Sequence, residues 1–448
     1  MKYTLLRPVS FLSLLLISLL SATAGSLYDW NQCQGSARPY PVPETIALCP
    51  DSLTPLMINH VGRHGARYAS SPKHTTRLLK ALHRADSLST ITPLGRELLA
   101  LTDSIVSISQ GSWGHLDSLG MIEQQEIARR MAQTYPSLFH GTPVEARASY
   151  VPRCVMSMYE FTHQLATLHP KTDIATLSGP AYSPLLRFFS KNEAYDQAIS
   201  ATDLQDTYTR FADSHTPVSA LRRVLGSDYP LGSDASDLAL TEYQVLSGME
   251  AIGLKSRADR FFTLEEYNDL WQIFNLRQYL THAANRFTSV PATIARPLLR
   301  DLITTTDRFL SGDPSVPAVM LRFGHAETLM PLLSLMNLPG CNAPAATPAQ
   351  VASEWRDFDI VPMAANLQMI LLQGPSGTIY LRLLLNERPI PLAPGLPDII
   401  PWSQARSLLQ NSLTTPNPLA SLSLPKIPYP PCKQKKAVRQ ILDTPHIA

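Results

Sequence analysis

The chain has 448 residues, with 38 Lys and Arg against 36 Asp and Glu, a formal net charge of +2. Charged residues make up 17% and hydrophobic residues 44%; a disordered chain carries more net charge and fewer apolar side chains, and a nucleic-acid binder is clearly basic. Pro is frequent at 38 and Gly scarce at 20, which excludes a collagen-like chain and points to long, rigid loops between short elements.

Residues 1–24 read as an export signal. Lys2 and Arg7 precede an apolar stretch over residues 11–20, and Ala22-Thr23-Ala24 offers small residues for cleavage after Ala24. That stretch is shorter than the roughly 20 apolar residues a bilayer span requires. The mature chain is therefore expected to have no membrane span and to be exported, periplasmic or extracellular. Loss of Lys2 and Arg7 takes the basic residues from 38 to 36, equal to the acidic ones, so any anion-binding potential has to be local. Export permits disulfides. Cys33 with Cys49 and Cys341 with Cys432 are the candidate pairs, Cys154 being left as a free thiol; five unpaired thiols are the alternative.

Residues 55–61 read as a buried strand that runs into Gly62-Arg63-His64-Gly65-Ala66-Arg67. Helical apolar spacing follows over residues 74–110, with Thr92 as a cap and Pro93 at the first helical position of its second half. Residues 119–135 form another amphipathic helix. A short strand is expected over 146–150, then Arg153 and a helix to 168. Residues 184–285 are mostly helical and read as an insertion. A strand over 317–321 leads into Arg322-Phe323-Gly324-His325-Ala326-Glu327 and a helix to 335. Residues 363–372 and 378–385 pair as a hairpin around Gly374 to Gly377. The fold class is α/β, a central mixed sheet with helices on both faces and an inserted all-helical cap. The expected division is core over 25–170, cap over 171–290, and core again from 291 to a Pro-rich tail ending at 448.

Two strand-to-helix turns carry the chemistry. In the first, Arg63 and Arg67 flank His64; two guanidiniums beside one imidazole repel unless an anion lies between them, and phosphate suits the planar, bidentate donors of Arg. The same cations disfavour imidazolium, so His64 is expected to stay neutral and nucleophilic in mild acid. Gly65 is read as allowing the chain to approach a ligand. In the second turn, His325 is placed to hydrogen-bond a phosphoryl oxygen, and Glu327 to protonate a leaving alcohol and later accept a proton from water. Lys73 is a further candidate phosphate ligand, with a solvated surface Lys as its alternative. His74, Arg77, Lys80 and Lys191 are weaker cationic candidates. No Asp/Glu/His cluster demands a metal, and neither metal nor cofactor is expected.

With these residues the chain resembles the histidine acid phosphatases. The His-Ala-Glu turn, in place of the more common His-Asp, is similar to the multiple inositol polyphosphate phosphatase branch. Gly114-His115-Leu116 with Gly120 and Gln124, residues 148–161 (ASYVPRCVMSMYEF), Leu186-Arg187-Phe188-Phe189 with Tyr195, and residues 383–391 (LLLNERPIP) are similar to that family too. The loop after Arg67 departs from it, with Ala69-Ser70 where Pro-Thr is common. The resemblance implies a phosphomonoesterase acting on inositol polyphosphates, phytate included, through phosphohistidine at His64. Arg63, Arg67, Arg153 and His325 would hold the phosphoryl group and Glu327 would donate the proton; the role of Arg153 comes from the resemblance alone. The implied partner is the small-molecule substrate, with no nucleic acid. Two other readings stand beside this one. One is a broad acid or sugar phosphatase on the same scaffold; the other is a non-catalytic, exported phosphate-ester binding protein.

Overall fold

The computed structural model describes residues 27–414; residues 1–24, expected to be an export signal, Cys432 and the Pro-rich tail lie outside them. An eight-stranded mixed sheet runs through the middle. Its strands are β1 (Thr54–Arg63), β2 (Val144–Ala148), β3 (Ile174–Ser178), β4 (Val319–Gly324), β5 (Asn366–Gln373), β6 (Ile379–Leu385), β7 (Arg388–Pro389) and β8 (Ile399–Pro401). The spatial order is β3-β2-β4-β1-β5-β6-β7, with β8 pairing β6. The first four are mutually parallel; β5 and β6 run antiparallel to their neighbours.

The period-2 alternation of strand side chains divides the core. Ile58, Ala146, Val319, Leu321 and Ile370 face α3 (Ser118–Thr134) and α4 (Pro152–Leu168), through Ile127, Met131, Met158 and Phe161. Met57, Val61, Met320, Leu367 and Met369 face the opposite helical layer, which includes Arg296–Leu310, Ala326–Leu335 and Trp402–Thr414. Both faces are covered, which is why β1 and β4 read as near-continuous apolar runs. The hairpin expected over 363–385 is β5 and β6. The chain then turns at Asn386 and Glu387, both at positive φ (50° and 62°), the backbone of a two-residue hairpin turn.

A second core is wholly helical. It joins helices of the inserted stretch, Val218–Leu225, Ala235–Ser247 and Leu264–His282, to α1 (Lys73–Ser87) and α2 (Pro93–Ser109). Thr92 couples the two segments: its hydroxyl accepts from Gly95 N (3.0 Å), capping α2 around Pro93 as expected, and donates to Arg223 O (2.8 Å). The helical layer is thus built from two stretches of chain, where the sequence pattern showed one. The stretch after residue 170 also begins with β3, an edge strand of the sheet, and turns helical only from Ser183. Strand β3 was missed because it is only half-buried and short. No helix among the described residues is long and apolar enough to cross a membrane.

The expected Cys33–Cys49 bond is not formed. Cys33 is buried with its thiol donating to Tyr28 O (3.7 Å), and the Cys49 thiol donates to Leu53 O (3.5 Å). Flanking a Pro-rich loop did not bring the two together, because each packs into a different part of the core. Cys154 is a free thiol. The pairing of Cys341 involves Cys432, outside the described residues.

Candidate active site

Parallel pairing of β1 with β4 sets Arg63 beside Gly324, and pairing of β2 with β4 sets Ala148 beside Phe323. The residues that leave these three strand ends therefore meet at one edge of the sheet, where α/β folds bind ligands. His64 N donates to Gly324 O (3.0 Å) and Ser149 N to Phe323 O (2.9 Å). The rings of His64 and His325 come to 5.9 Å between centroids, near perpendicular, although 261 positions separate them in the chain. Both are 2% exposed.

The loop after β1 is clamped from behind. Gln124 Nε2 donates to Arg63 O (3.0 Å), Glu123 accepts from Ala66 N (2.7 Å), and Ser157 Oγ accepts from Gly65 N (3.1 Å). Gly65 and Gly120 pack backbone to backbone. A Cβ on Gly65 would lie 2.3 Å from Gly120 O, and one on Gly120 would lie 2.1 Å from Ala66 O. The close approach at Gly65 is therefore to α3, where the sequence suggested a ligand. Arg67 pairs across an isolated bridge with Leu116, and Tyr68 N donates to His115 O (3.1 Å), so residues 114–116 brace the second arginine.

His64 Nδ1 lies 2.9 Å from Gly65 O. A carbonyl oxygen only accepts, so Nδ1 carries the hydrogen and Nε2 keeps its lone pair. Burial, then Arg153, Arg63, Arg67 and His325, hold the imidazole well below its usual value, so it is neutral across ordinary pH. Three arginines stand around it, and a fourth acts on His325. Arg63 donates to Ser36 O (2.6 Å) and Val361 O (2.5 Å), Arg67 to Tyr68 O (2.7 Å), and Arg153 to His325 Nδ1 (3.4 Å). The fourth, Arg187, is 5% exposed, donates to Tyr150 Oη (2.7 Å) and lies over the Tyr150 ring at 5.0 Å. The Nε atoms of all four are buried and have no hydrogen-bond partner, and none of the four forms an ion pair with a carboxylate of the described residues. Burial and mutual repulsion bring Arg63 down to about 10 and Arg67 to about 9. Such a cluster is costly unless an anion completes it.

Arg153 stands in the first turn of α4, which starts at Pro152. His325 caps the helix Ala326–Leu335; its backbone N–H donates to Thr328 Oγ1 (3.0 Å) and its Nε2 lies 3.1 Å from Ser149 Oγ. Phe189 packs edge-on against the His325 ring at 5.7 Å, so its core role and its nearness to the site coincide. Glu327 lies in that helix's first turn. Burial alone would raise its carboxyl, but His325, His282, its own backbone N–H and Arg153 hold it at about 2.

The structure thus brings together His64, Arg63, Arg67, Arg153, His325 and Glu327. It does not bring in Lys73, which is exposed as the first residue of α1 and makes no hydrogen bond or ion pair with the cluster. Arg77 is tied to Asp234 (3.2 Å), and Lys80 and Lys191 are exposed. Arg187, Ser149 and Cys154 were missed. All three lay within stretches quoted for the resemblance, but nothing in the spacing distinguished them from core or surface residues.

The family profile described as histidine phosphatase superfamily (branch 2) matches residues 57–386. Multiple inositol polyphosphate phosphatase 1 of Homo sapiens is 27% identical over 393 residues, covering 80% of this chain and 79% of that protein. The Gallus gallus protein of the same name is 24% identical over 411 residues, covering 86% and 89%. Among solved structures, the Bifidobacterium longum multiple inositol polyphosphate phosphatase in complex with inositol hexasulfate superposes with a TM-score of 0.73. It is 17% identical and covers 84% of this chain and 97% of its own. The phytase from D. castellii superposes with a TM-score of 0.68 at 17% identity, covering 89% of each chain.

Proposed function

The chain belongs to branch 2 of the histidine phosphatase superfamily, and we propose that it releases phosphate from inositol polyphosphates, phytate included, by two-step transfer through His64. The observation that carries this is the neutral imidazole, its Nε2 lone pair free, with Arg63, Arg67 and Arg153 around it, their buried Nε atoms without hydrogen-bond partners. A phosphoryl group suits these donors by charge and geometry.

In the first step the His64 Nε2 lone pair attacks phosphorus. The bond to the ester oxygen breaks, and Glu327 gives its proton to that oxygen. In the second, water attacks the phosphohistidine, Glu327 takes a proton back, and the N–P bond breaks to release phosphate. Glu327 is ionised in the free protein, since its carboxyl is held at about 2. A phosphoryl dianion among the arginines cancels much of the field that holds it down, so substrate binding itself moves Glu327 toward the protonated form the first step needs. Arg63, Arg67, Arg153 and His325 stabilise the transferring group. The helical layer forms the wall over the cleft. We infer also that residues 1–24 are removed on export.

The inositol polyphosphate reading rests on the names of the relatives and on the His-Ala-Glu turn. A time course on phytate, with separation of the inositol phosphate isomers, tests it. Successive loss of phosphates is expected, with a higher kcat/KM than on a simple sugar phosphate. No release from phytate between acid and neutral pH defeats the proposal, and equal turnover of the sugar phosphate favours the broad phosphatase. His64→Ala abolishes the labelled phosphoenzyme; a label persisting in that variant excludes His64 as nucleophile.

A further inference from the structure

We propose that Asp357 is a positioning residue for Arg63: it sets the two backbone carbonyls that hold one end of that guanidinium, and so fixes which edge of Arg63 meets the phosphoryl group. The inference rests on the phosphatase reading and concerns how its first arginine is aimed. Arg63 Nη1 has two hydrogens, and both are committed, one to Ser36 O (2.6 Å) and one to Val361 O (2.5 Å). The donors left are Nη2 and Nε, the latter buried without a hydrogen-bond partner. Nε and Nη2 share one edge of the planar group, and that edge can take two oxygens of one phosphoryl group side by side. Its direction therefore depends on where the Ser36 and Val361 carbonyls stand.

Asp357 holds both residues. Its Oδ2 accepts from Ser36 N (2.8 Å). Its backbone oxygen accepts from Val361 N (2.8 Å), closing the single helical turn Asp357–Ile360. Gly35 makes the first contact possible: at φ 59° it turns the chain in against the carboxylate, and a Cβ there would lie 2.8 Å from Oδ2. Asp357 is gripped in turn by the helix Leu264–His282 of the helical layer. Trp271 Nε1 donates to Oδ1 (3.0 Å), and Asn275 Oδ1 accepts from Asp357 N (2.9 Å). Four positions apart, Trp271 and Asn275 lie on one face of that helix. All three side chains are fully buried, so each carboxylate oxygen faces an N–H that has no water to turn to. The helical layer thus reaches the phosphate-binding turn through one carboxylate.

Asp357→Asn keeps the shape but offers one oxygen and one NH2, so either Ser36 N–H or Trp271 Nε1–H faces a donor. The measurement is kcat/KM on an aryl phosphate at pH 7.5, where the Asp357 carboxyl, raised by burial to about 6, is ionised. With Arg63 in place, Asp357→Asn should lower it by about tenfold or more. In Arg63→Ala protein the same change should cost no more than about twofold. No fall with Arg63 present overturns the inference, and an equal fall in both backgrounds overturns it in favour of a merely structural role. Trp271→Phe removes the competing donor, so in Trp271→Phe/Asp357→Asn protein the amide oxygen can turn to Ser36 N. Its kcat/KM should lie within about threefold of Trp271→Phe alone. A larger loss would mean that the negative charge matters and the placed oxygen does not, which overturns the proposal. That comparison also decides the question where Asp357→Asn alone does not fold. A protein that neither binds inorganic phosphate nor cleaves phosphomonoesters refutes the functional reading instead.

Discussion

At the scale of single residues, the site depends on which atoms carry protons. His64 has one hydrogen, on Nδ1, committed to Gly65 O, so its reactive nitrogen needs no general base. In the proposed mechanism the proton given to the leaving oxygen comes from Glu327. Glu327→Gln is expected to lower kcat on substrates with poor leaving groups by about 10²–10⁴, and to leave activated aryl phosphates within a few-fold of wild type; equal losses on both would sink the proton-donor assignment. Residues whose type and neighbours are chemically unusual were legible in the sequence, His64 between two arginines above all. Arg187 was not, because its function depends on meeting Tyr150 and Phe189 in space. Lys73 stood open between two readings for the converse reason. A lysine at a helix start looks the same in sequence whether it faces a cleft or solvent.

At the scale of elements, α3 is a brace. Glu123 and Gln124 hold the loop after β1, Gly120 lets that loop sit against the helix, and Arg130 pairs with Glu387 (2.8 Å) at the β6–β7 turn. Gly120→Ala would ordinarily strengthen a helix by about 1 kcal/mol. Here the added carbon would fall 2.1 Å from Ala66 O. A net loss of about 1–3 kcal/mol is expected from the overpacking, with kcat falling as His64 shifts. Urea unfolding and kcat measured together check this; a variant as stable and as active as wild type would show that the loop can give way freely. The order of strands and helices was readable from periodicity and turn residues, β1, β4 and the β5–β6 hairpin especially. What the periodicity did not show was partnership. The apolar faces of α1 and α2 look like any core face until Leu221, Leu238 and Trp271 are seen against them.

At the scale of the whole molecule, three buried carboxyls outside the proposed chemistry shape the pH dependence of stability above the range where the histidines titrate. Glu242, 0% exposed, has no partner for either oxygen; burial raises it to about 8, with Glu266 adding to the shift and Arg223 opposing it. Burial likewise raises Glu123 to about 7 and Asp357 to about 6. A carboxyl with a folded value above its unfolded one binds its proton more tightly in the folded state. Its contribution is therefore full below the unfolded value, near 4 to 4.5, and is lost as pH rises through the folded one. Below about pH 6.5 the buried histidines His60, His64 and His325, held low by burial, act in the opposite sense, so the decline is expected from about pH 6.5 to pH 8, Glu242 accounting for about 2 kcal/mol of it. Glu242→Gln should flatten part of this slope; urea midpoints at pH 6.5 and pH 8 that differ as much in the variant as in wild type would refute it.

The four unpartnered arginine Nε atoms have a consequence beyond catalysis. Only the folded chain gathers those charges, so the proposed site would bind a phosphate ion in the native state and have no equivalent on the unfolded one. Inorganic phosphate, a product of the reaction, then acts as a folding ligand: at a hundred times its dissociation constant it adds about 2.7 kcal/mol. A chain reaching its final compartment would be most secure where phosphate is plentiful, and would lose that protection where its activity is most needed.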